Sequence, residues 1–323
     1  MTGTPWMALA IAAAAATTGE RAPTDAARPA RPATPRVAGL VPERIIGRSG
    51  TGPAEFRNPH GLIATPVGGL LVADTGNSRV QHLDPDGRLL WEAGGIGTEE
   101  GALRRPIAVS TATSLAYLVL DSLGRRVLEF HARGEYLGVG VDLASGAYRD
   151  RIGEVEPRGL AVDRSGNAIL SDREGDRLLI FTPAWELLYE VGGFGDDAQG
   201  FDMPEGVATG PGRIFVADSM NGRIQVLDAL GGFLTAWPLP GGGRPMAVAT
   251  DRHGNLFVAD AGGDRVLAFN AGGELVASLG ATGDGPASFR RPSGLCVMGD
   301  RLVVADSGND RLQVLRIGYA TVE

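Results

Sequence analysis

The sequence contains no lysine; all 30 of its basic residues are arginine. Schiff-base chemistry and the lysine of a phosphate-cradling P-loop are therefore excluded. There is one cysteine, Cys296, so no internal disulfide can form. Its setting, Gly294-Leu295-Cys296-Val297, reads as a small buried hydrophobe and not a nucleophile. Positive charge is also short: the net charge is -8, and residues 1–41 hold four arginines against Glu20 and Asp25, which leaves -10 over the remainder. A generic binder of phosphate backbones should be basic, so nucleic acid is not an expected partner. Long apolar runs are missing as well. The stretch Trp6-Met7-Ala8-Leu9-Ala10-Ile11 with the alanines after it supplies about a dozen apolar residues, where a membrane span needs roughly 20.

That stretch suits the core of a signal peptide with Ala-x-Ala cleavage options, although no Arg or Lys precedes it. Residues 1–19 are read as a signal peptide and 20–42, rich in Ala, Pro and Arg, as a linker. The expected location is extracytoplasmic, secreted or periplasmic.

What is present is a repeat. An Asp followed five residues later by an Arg recurs at Asp74/Arg79, Asp121/Arg126, Asp172/Arg177, Asp218/Arg223, Asp260/Arg265 and Asp306/Arg311. The Asp positions lie 47, 51, 46, 42 and 46 residues apart by subtraction. A period of roughly 40 to 50 residues built from short strands marks propeller blades. Between each Asp and Arg stand turn formers such as Thr-Gly-Asn-Ser and Ser-Gly-Asn-Asp, so each pair flanks a hairpin whose Gly and Asn supply positive φ. A pair present in every blade is structural, since a catalytic group is wanted once. At an exposed hairpin it contributes about 0.2 to 1 kcal/mol.

A proline opens a short apolar run 14 or 15 residues before each Asp, at Pro59, Pro106, Pro157, Pro204, Pro245 and Pro292. Such a run is a strand buried on both sides, the inner strand of its blade. Residues Glu43 to Gly47 look like the end of a blade, while the sixth blade stops after its third strand. The expected fold is all-β: a six-bladed β-propeller of four-stranded antiparallel blades over 43–319, closed by an N-terminal strand that completes the last blade.

The stretch Val304-Ala305-Asp306-Ser307-Gly308-Asn309-Asp310-Arg311-Leu312-Gln313-Val314-Leu315, with its Gly-rich and Phe-x-x-Pro lead, resembles the NHL repeat. The resemblance covers 43 to about 317 and implies the same six-bladed architecture. It implies no single activity, because proteins of this fold differ widely in what they do.

The residue after each inner-strand proline should lie near the channel mouth: His60, Ile107, Arg158, Glu205, Met246 and Ser293. Amidating lyases built on this repeat imply a zinc held by three His, one in a Pro-His-Gly stretch. The chain matches at Pro59-His60-Gly61 and has no His at the five equivalent positions, while a zinc site needs at least three protein ligands. Gluconolactonase-like propellers imply a divalent metal on Glu and Asn or Asp; Glu205 matches alone. No metal or cofactor is expected. An enzyme reading, a metal-dependent lyase or hydrolase, would rest on His60, Arg158 and Glu205.

The loops before blades 1, 2, 5 and 6 end in arginine (Arg57, Arg104, Arg105, Arg244, Arg290, Arg291), and those before blades 3 and 4 carry Glu154, Glu156, Asp196, Asp197 and Asp202. The bland expectation is that these arginines pair with the Asp of a neighbouring blade. If they are free, their forks suit carboxylate or phosphate groups. The leading reading is a monomeric binding module rather than an enzyme. It would hold a protein, peptide, glycan or small anion at the loop face, with Arg57, Arg105, Arg244, Arg291, His60, Arg158 and Glu205 as ligand-binding residues.

Overall fold

The computed structural model describes residues 35–97, 99–113 and 115–320. The expected signal peptide lies outside the described residues. Six four-stranded antiparallel sheets follow one another along the chain, and each is a blade. In blades 1 to 5 the strands pair in sequence order from the inner edge outward. Blade 6 takes Pro292–Met298, Arg301–Asp306 and Arg311–Ala320, and its outer strand is Arg36–Ile46. The closing strand thus begins at Arg36 rather than Glu43, so residues 36–42 of the expected linker are strand. Its register runs from Arg36 opposite Ala320 to Ile46 opposite Leu312.

The two sequence landmarks are register partners. Asp faces Arg across the hairpin in every blade, and in blades 2 to 6 the inner-strand Pro faces the same Asp. After the mouth residue comes Gly or Ala, because inner strands of adjacent blades nearly touch there. A Cβ on Gly61 would meet the Ile107 carbonyl at 2.6 Å, and one on Gly159 the Glu205 carbonyl at 2.5 Å. Between the blades pack the aliphatic residues of the two middle strands, with Phe56, Phe201 and Phe289 fully buried in the repeat's own Phe position.

The Asp–Arg pairs are structural, as expected, and they are not exposed. Asp74, Asp121, Asp172, Asp218, Asp260 and Asp306 are all fully buried. The side chains of Arg79, Arg126, Arg177, Arg223, Arg265 and Arg311 are only 10 to 28% exposed. In each pair Arg Nε donates to Asp Oδ2 at 2.7–3.2 Å. The other carboxylate oxygen accepts a main-chain N–H of the loop entering the inner strand, from Arg57, Arg105, Glu156, Asp202, Arg244 and Arg290, at 2.7–2.9 Å.

The guanidinium groups are covered because their outer nitrogens also hold the carbonyls of that loop. Arg79 Nη2 donates to Gly52 and Glu55, and Arg126 Nη2 to Ala102. Arg177 Nη2 reaches Ile152 while its Nη1 meets the carboxylate of Glu190. Arg223 takes three carbonyls, those of Asp196, Asp197 and Gly200. Arg265 holds Pro240, and Arg311 holds Asp284, Gly285 and Ser288. The hairpin value of an exposed pair therefore does not apply to any of the six. Each one pins three segments together.

The hairpins differ from expectation in a second way. Positive φ falls on the fourth loop residue, which is Ser78, Arg125, Asp176, Gly222, Asp264 or Asp310, so glycine takes that place only once. The loops at Thr75–Asn77 and Ser307–Asn309 close as a single 3-10 turn whose next residue is left-handed. Where that residue is Asp, the side chain offsets the strain by accepting a main-chain N–H from the next blade: Asp176 from Met203, Asp264 from Arg291 and Asp310 from Asn58.

Replacing Arg79 by Ala leaves the buried Asp74 without its counter-charge and is expected to cost about 3 kcal/mol. Arg301→Ala breaks an exposed pair with Glu43 and should shift the urea midpoint far less. Equal shifts in urea melts of the two variants would refute the anchoring role of the repeat pair.

Candidate functional site at the channel mouth

The inner strands surround a central cavity of about 410 Å³. All six residues that follow the inner-strand prolines line it: His60, Ile107, Arg158, Glu205, Met246 and Ser293. The next apolar position of each strand, from Leu62 in blade 1 to Leu295 in blade 6, also contributes to the wall.

Arg158 and Glu205 occupy the same position on adjacent blades and pair with each other. Arg158 Nε donates to Glu205 Oε2 at 2.9 Å and Nη2 to Oε1 at 3.3 Å. Both side chains are about 95% buried, which demands such a fork. Arg173 stands 3.7 Å from Glu205 and 3.6 Å from Glu156, and Arg158 lies 3.5 Å from Glu156. Two arginines and two glutamates thus balance one another. Both oxygens of Glu205 face arginine, so it is not a free carboxylate for a metal or a proton. Arg173 was not singled out from the sequence; the signal was its place directly after the repeat Asp, where Ser or Thr stands in four other blades.

Arg158 Nη1 is buried and makes no hydrogen bond, but it faces Glu156 Oε1 at 3.5 Å.

His60 is half-buried, and its remaining exposed surface lines the channel. Burial, reinforced by the positive charges of Arg158, Arg105 and Arg291, lowers its pKa to about 3. At neutral pH it is uncharged. Asn58 Nδ2 lies 3.2 Å from His60 Nε2. An amide NH2 can only donate, so the ring proton belongs on Nδ1.

The arginines of the entering loops do not pair with neighbouring-blade Asp, contrary to the bland expectation. Each repeat Asp is already taken by the Arg five residues on. Among the described residues, the side chains of Arg57, Arg104, Arg105, Arg244, Arg290 and Arg291 make no ion pair. The charges of Arg105 and Arg291 act on His60, although neither residue lines the central cavity; Arg57 and Arg244 are exposed and are not among the charges acting on it. On the acidic arc, Glu154 is neutralised by Arg125 and Arg149. The aspartates before blade 4, Asp196, Asp197 and Asp202, make no ion pair among the described residues.

The other histidines do not join the mouth. His82 is buried against Trp91 and Tyr117, His131 pairs with Glu135, and His253 packs on Tyr319. No group of three or more His, Cys, Asp or Glu among the described residues is placed to hold a metal ion. Burial pushes the Cys296 thiol up to about 12, which keeps it protonated.

A ring of six such blades defines the class, a six-bladed β-propeller. The sequence model of the NHL repeat matches residues 56–83 and 289–315. The chain is 40% identical to mouse NHL repeat-containing protein 3 over 80 residues, which span 24% of this chain and 22% of that protein. It is 23% identical to Protein brain tumor of Drosophila melanogaster over 150 residues, 46% of this chain and 14% of that one. The matched segments thus cover less than a quarter of either relative. Among solved structures, a streptogramin B lyase superposes with a TM-score of 0.59 at 15% identity, covering 86% of this chain and 97% of that one. A Bacteroides thetaiotaomicron protein of unknown function reaches 0.65 at 12% identity, covering 86% and 76%. Both structural likenesses speak for the fold alone. The chain is a six-bladed β-propeller that carries the NHL repeat at residues 56–83 and 289–315.

As the pH falls from about 6.5 toward 3, the unfolded chain takes up a proton on His60 that the folded chain refuses, so His60 contributes stability that is lost over that window. His60→Gln should therefore lose less unfolding free energy between pH 7 and pH 4 than the wild type in urea melts. Identical pH profiles would show that the mouth does not hold His60 neutral.

Proposed function

We propose that this propeller is an exported, non-catalytic binding module that holds an anionic group of a partner or ligand at its channel mouth. The observation that carries the reading is the set of unpaired loop arginines on contiguous blades 5, 6, 1 and 2. Guanidinium groups without carboxylate partners, gathered beside a concave opening, favour an anion. Large apolar side chains at loop tips on the same face, Ile96 at 90% and Phe194 at 80% exposed, give a protein or peptide partner apolar surface to cover. The lyase or hydrolase alternative would use His60, Arg158 and Glu205. It has less support here, because Glu205 is held by arginine and His60 has no second histidine beside it.

The test is thermal melting in sodium acetate, sulfate or phosphate against chloride at matched ionic strength. The wild type is compared with a variant carrying Gln at positions 57, 105, 244 and 291. Sulfate and phosphate stabilise folded proteins generally, so the gain specific to the wild type is the readout. We expect the wild type to gain several degrees more than the variant. An equal gain refutes the anion site, and about one zinc or calcium per purified chain would favour the enzyme reading instead. Export is checked by cell fractionation: recovery only in the cytoplasm refutes that part.

A further inference from the structure

Resting on the anion-binding reading of the loop arginines, we propose that the partner is a protein presenting an acidic peptide segment, and that this segment lies in the groove between blades 2 and 3 beside the channel mouth. The groove, of about 490 Å³, is lined by Arg104, Arg105 and Leu123 from blade 2 and by Glu156 and Glu174 from blade 3. Arg104, Arg105 and Glu174 make no ion pair among the described residues. Arg125, also in the wall, is neutralised by Glu154, and Glu156 stands opposite Arg158 and Arg173. The free charge is thus two guanidinium groups on one wall against the carboxylate of Glu174 on the other. Neighbouring guanidinium forks suit one carboxylate side chain, whereas a phosphate dianion would be repelled more strongly by Glu156 and Glu174. Leu123, 64% exposed, gives an aliphatic neighbour of that carboxylate apolar surface to cover. Arginine clusters that take acidic motifs are a recurrent mode of peptide recognition.

The loop that walls this groove sets it apart from the other gaps between blades. Residues 143–156 form the one entering loop, among the described residues, that carries an α-helix, Gly146–Ile152. The loop is fixed from several sides. Ile152 and Val155 are buried in the core shared by blades 2 and 3. Tyr148 donates its hydroxyl to the Trp185 carbonyl, and Arg177 holds the carbonyl of Ile152. At the blade 2 end the Leu143 N–H donates to the Arg125 carbonyl at 2.9 Å, which ties the loop to the opposite wall. Both walls are therefore in place before a ligand arrives, so a peptide that enters loses little affinity to ordering of the loop.

The experiment is calorimetric titration of the full chain with the blocked pentapeptide Gly-Leu-Asp-Leu-Gly and with its asparagine and phosphoserine counterparts, all at constant ionic strength. We expect the aspartate peptide to bind about tenfold more tightly than the asparagine peptide, and more tightly than the phosphoserine peptide. Arg104→Gln and Arg105→Gln should each weaken the aspartate peptide about three- to tenfold, and Leu123→Ser about threefold. Arg164→Gln, the same charge change on an exposed loop of the opposite face, should leave its binding unchanged. Glu174→Gln removes a carboxylate from the groove and should tighten the aspartate peptide about two- to threefold, a gain that a role in folding would not produce. Melting temperatures without peptide should not move. Equal binding of the aspartate and asparagine peptides, or tighter binding of the phosphoserine peptide, overturns the inference. A loss from Arg164→Gln as large as that from Arg104→Gln also overturns it, because the attraction would then belong to the whole surface. Binding of none of the peptides overturns it too. In that case, the wild-type-specific melting gain in acetate, sulfate or phosphate decides separately whether the anion-binding reading stands.

Discussion

The structure depends on a carboxylate that has no access to water. In each blade one Asp sits fully buried at the hairpin between the second and third strands, and its two oxygens are shared between a guanidinium and a main-chain N–H of the loop that leads into the inner strand. A buried charge without such partners would be strongly destabilising. The same bonds give each entering loop a fixed position over the end of its own blade, and therefore fix where the next residue, at the channel mouth, points. Position at the mouth is thus inherited from the clamp and not from the loop's own sequence, which differs from blade to blade.

That arrangement also explains the electrostatics of the face. Because the repeat Asp is satisfied internally, it is not available to the arginines of the entering loops. Among the described residues, four of the six loops consequently present positive charge that makes no ion pair, although the chain as a whole is acidic. The exception lies between blades 3 and 4, where Arg158 and Glu205 meet across the blade boundary and draw in Glu156 and Arg173. The mouth is therefore asymmetric: a neutralised, buried network on one side and exposed guanidinium groups on the other, with a neutral histidine facing both.

The blade count, the order of strands and the closure by an N-terminal strand were legible because they follow from period and from alternating short apolar runs. The six mouth positions were legible for the same reason, being one residue past a repeated proline. Three things were not. The depth of the Asp–Arg pairs was hidden because an i, i+5 spacing states that two residues face one another across a hairpin, and says nothing of the loop carbonyls that cover Arg126, Arg223 and their counterparts. The left-handed residue of each hairpin was misassigned because Gly and Asn were present in the loop, while the turn places its strain on the residue after them. The Arg158–Glu205 pair was missed because it joins residues 47 positions apart, although opposite charges at one register position of adjacent blades were a usable signal. Arg173 entered through that same omission.

Ring closure by Arg36–Ile46 has a consequence for the timing of folding. The strand that completes the last blade is made before every other described strand, and its partner, Arg311–Ala320, is made after them. At ribosomal rates of about 5–20 residues per second, tens of seconds pass between the two. Throughout that interval the early strand has no partner and the growing sheet array has an open edge at each end. The final pairing is therefore the chain's longest-range contact, the one with the largest loop-closure entropy to overcome. Once made, it turns a row of blades into a hoop, in which no blade can separate from its neighbours without another contact around the circle giving way.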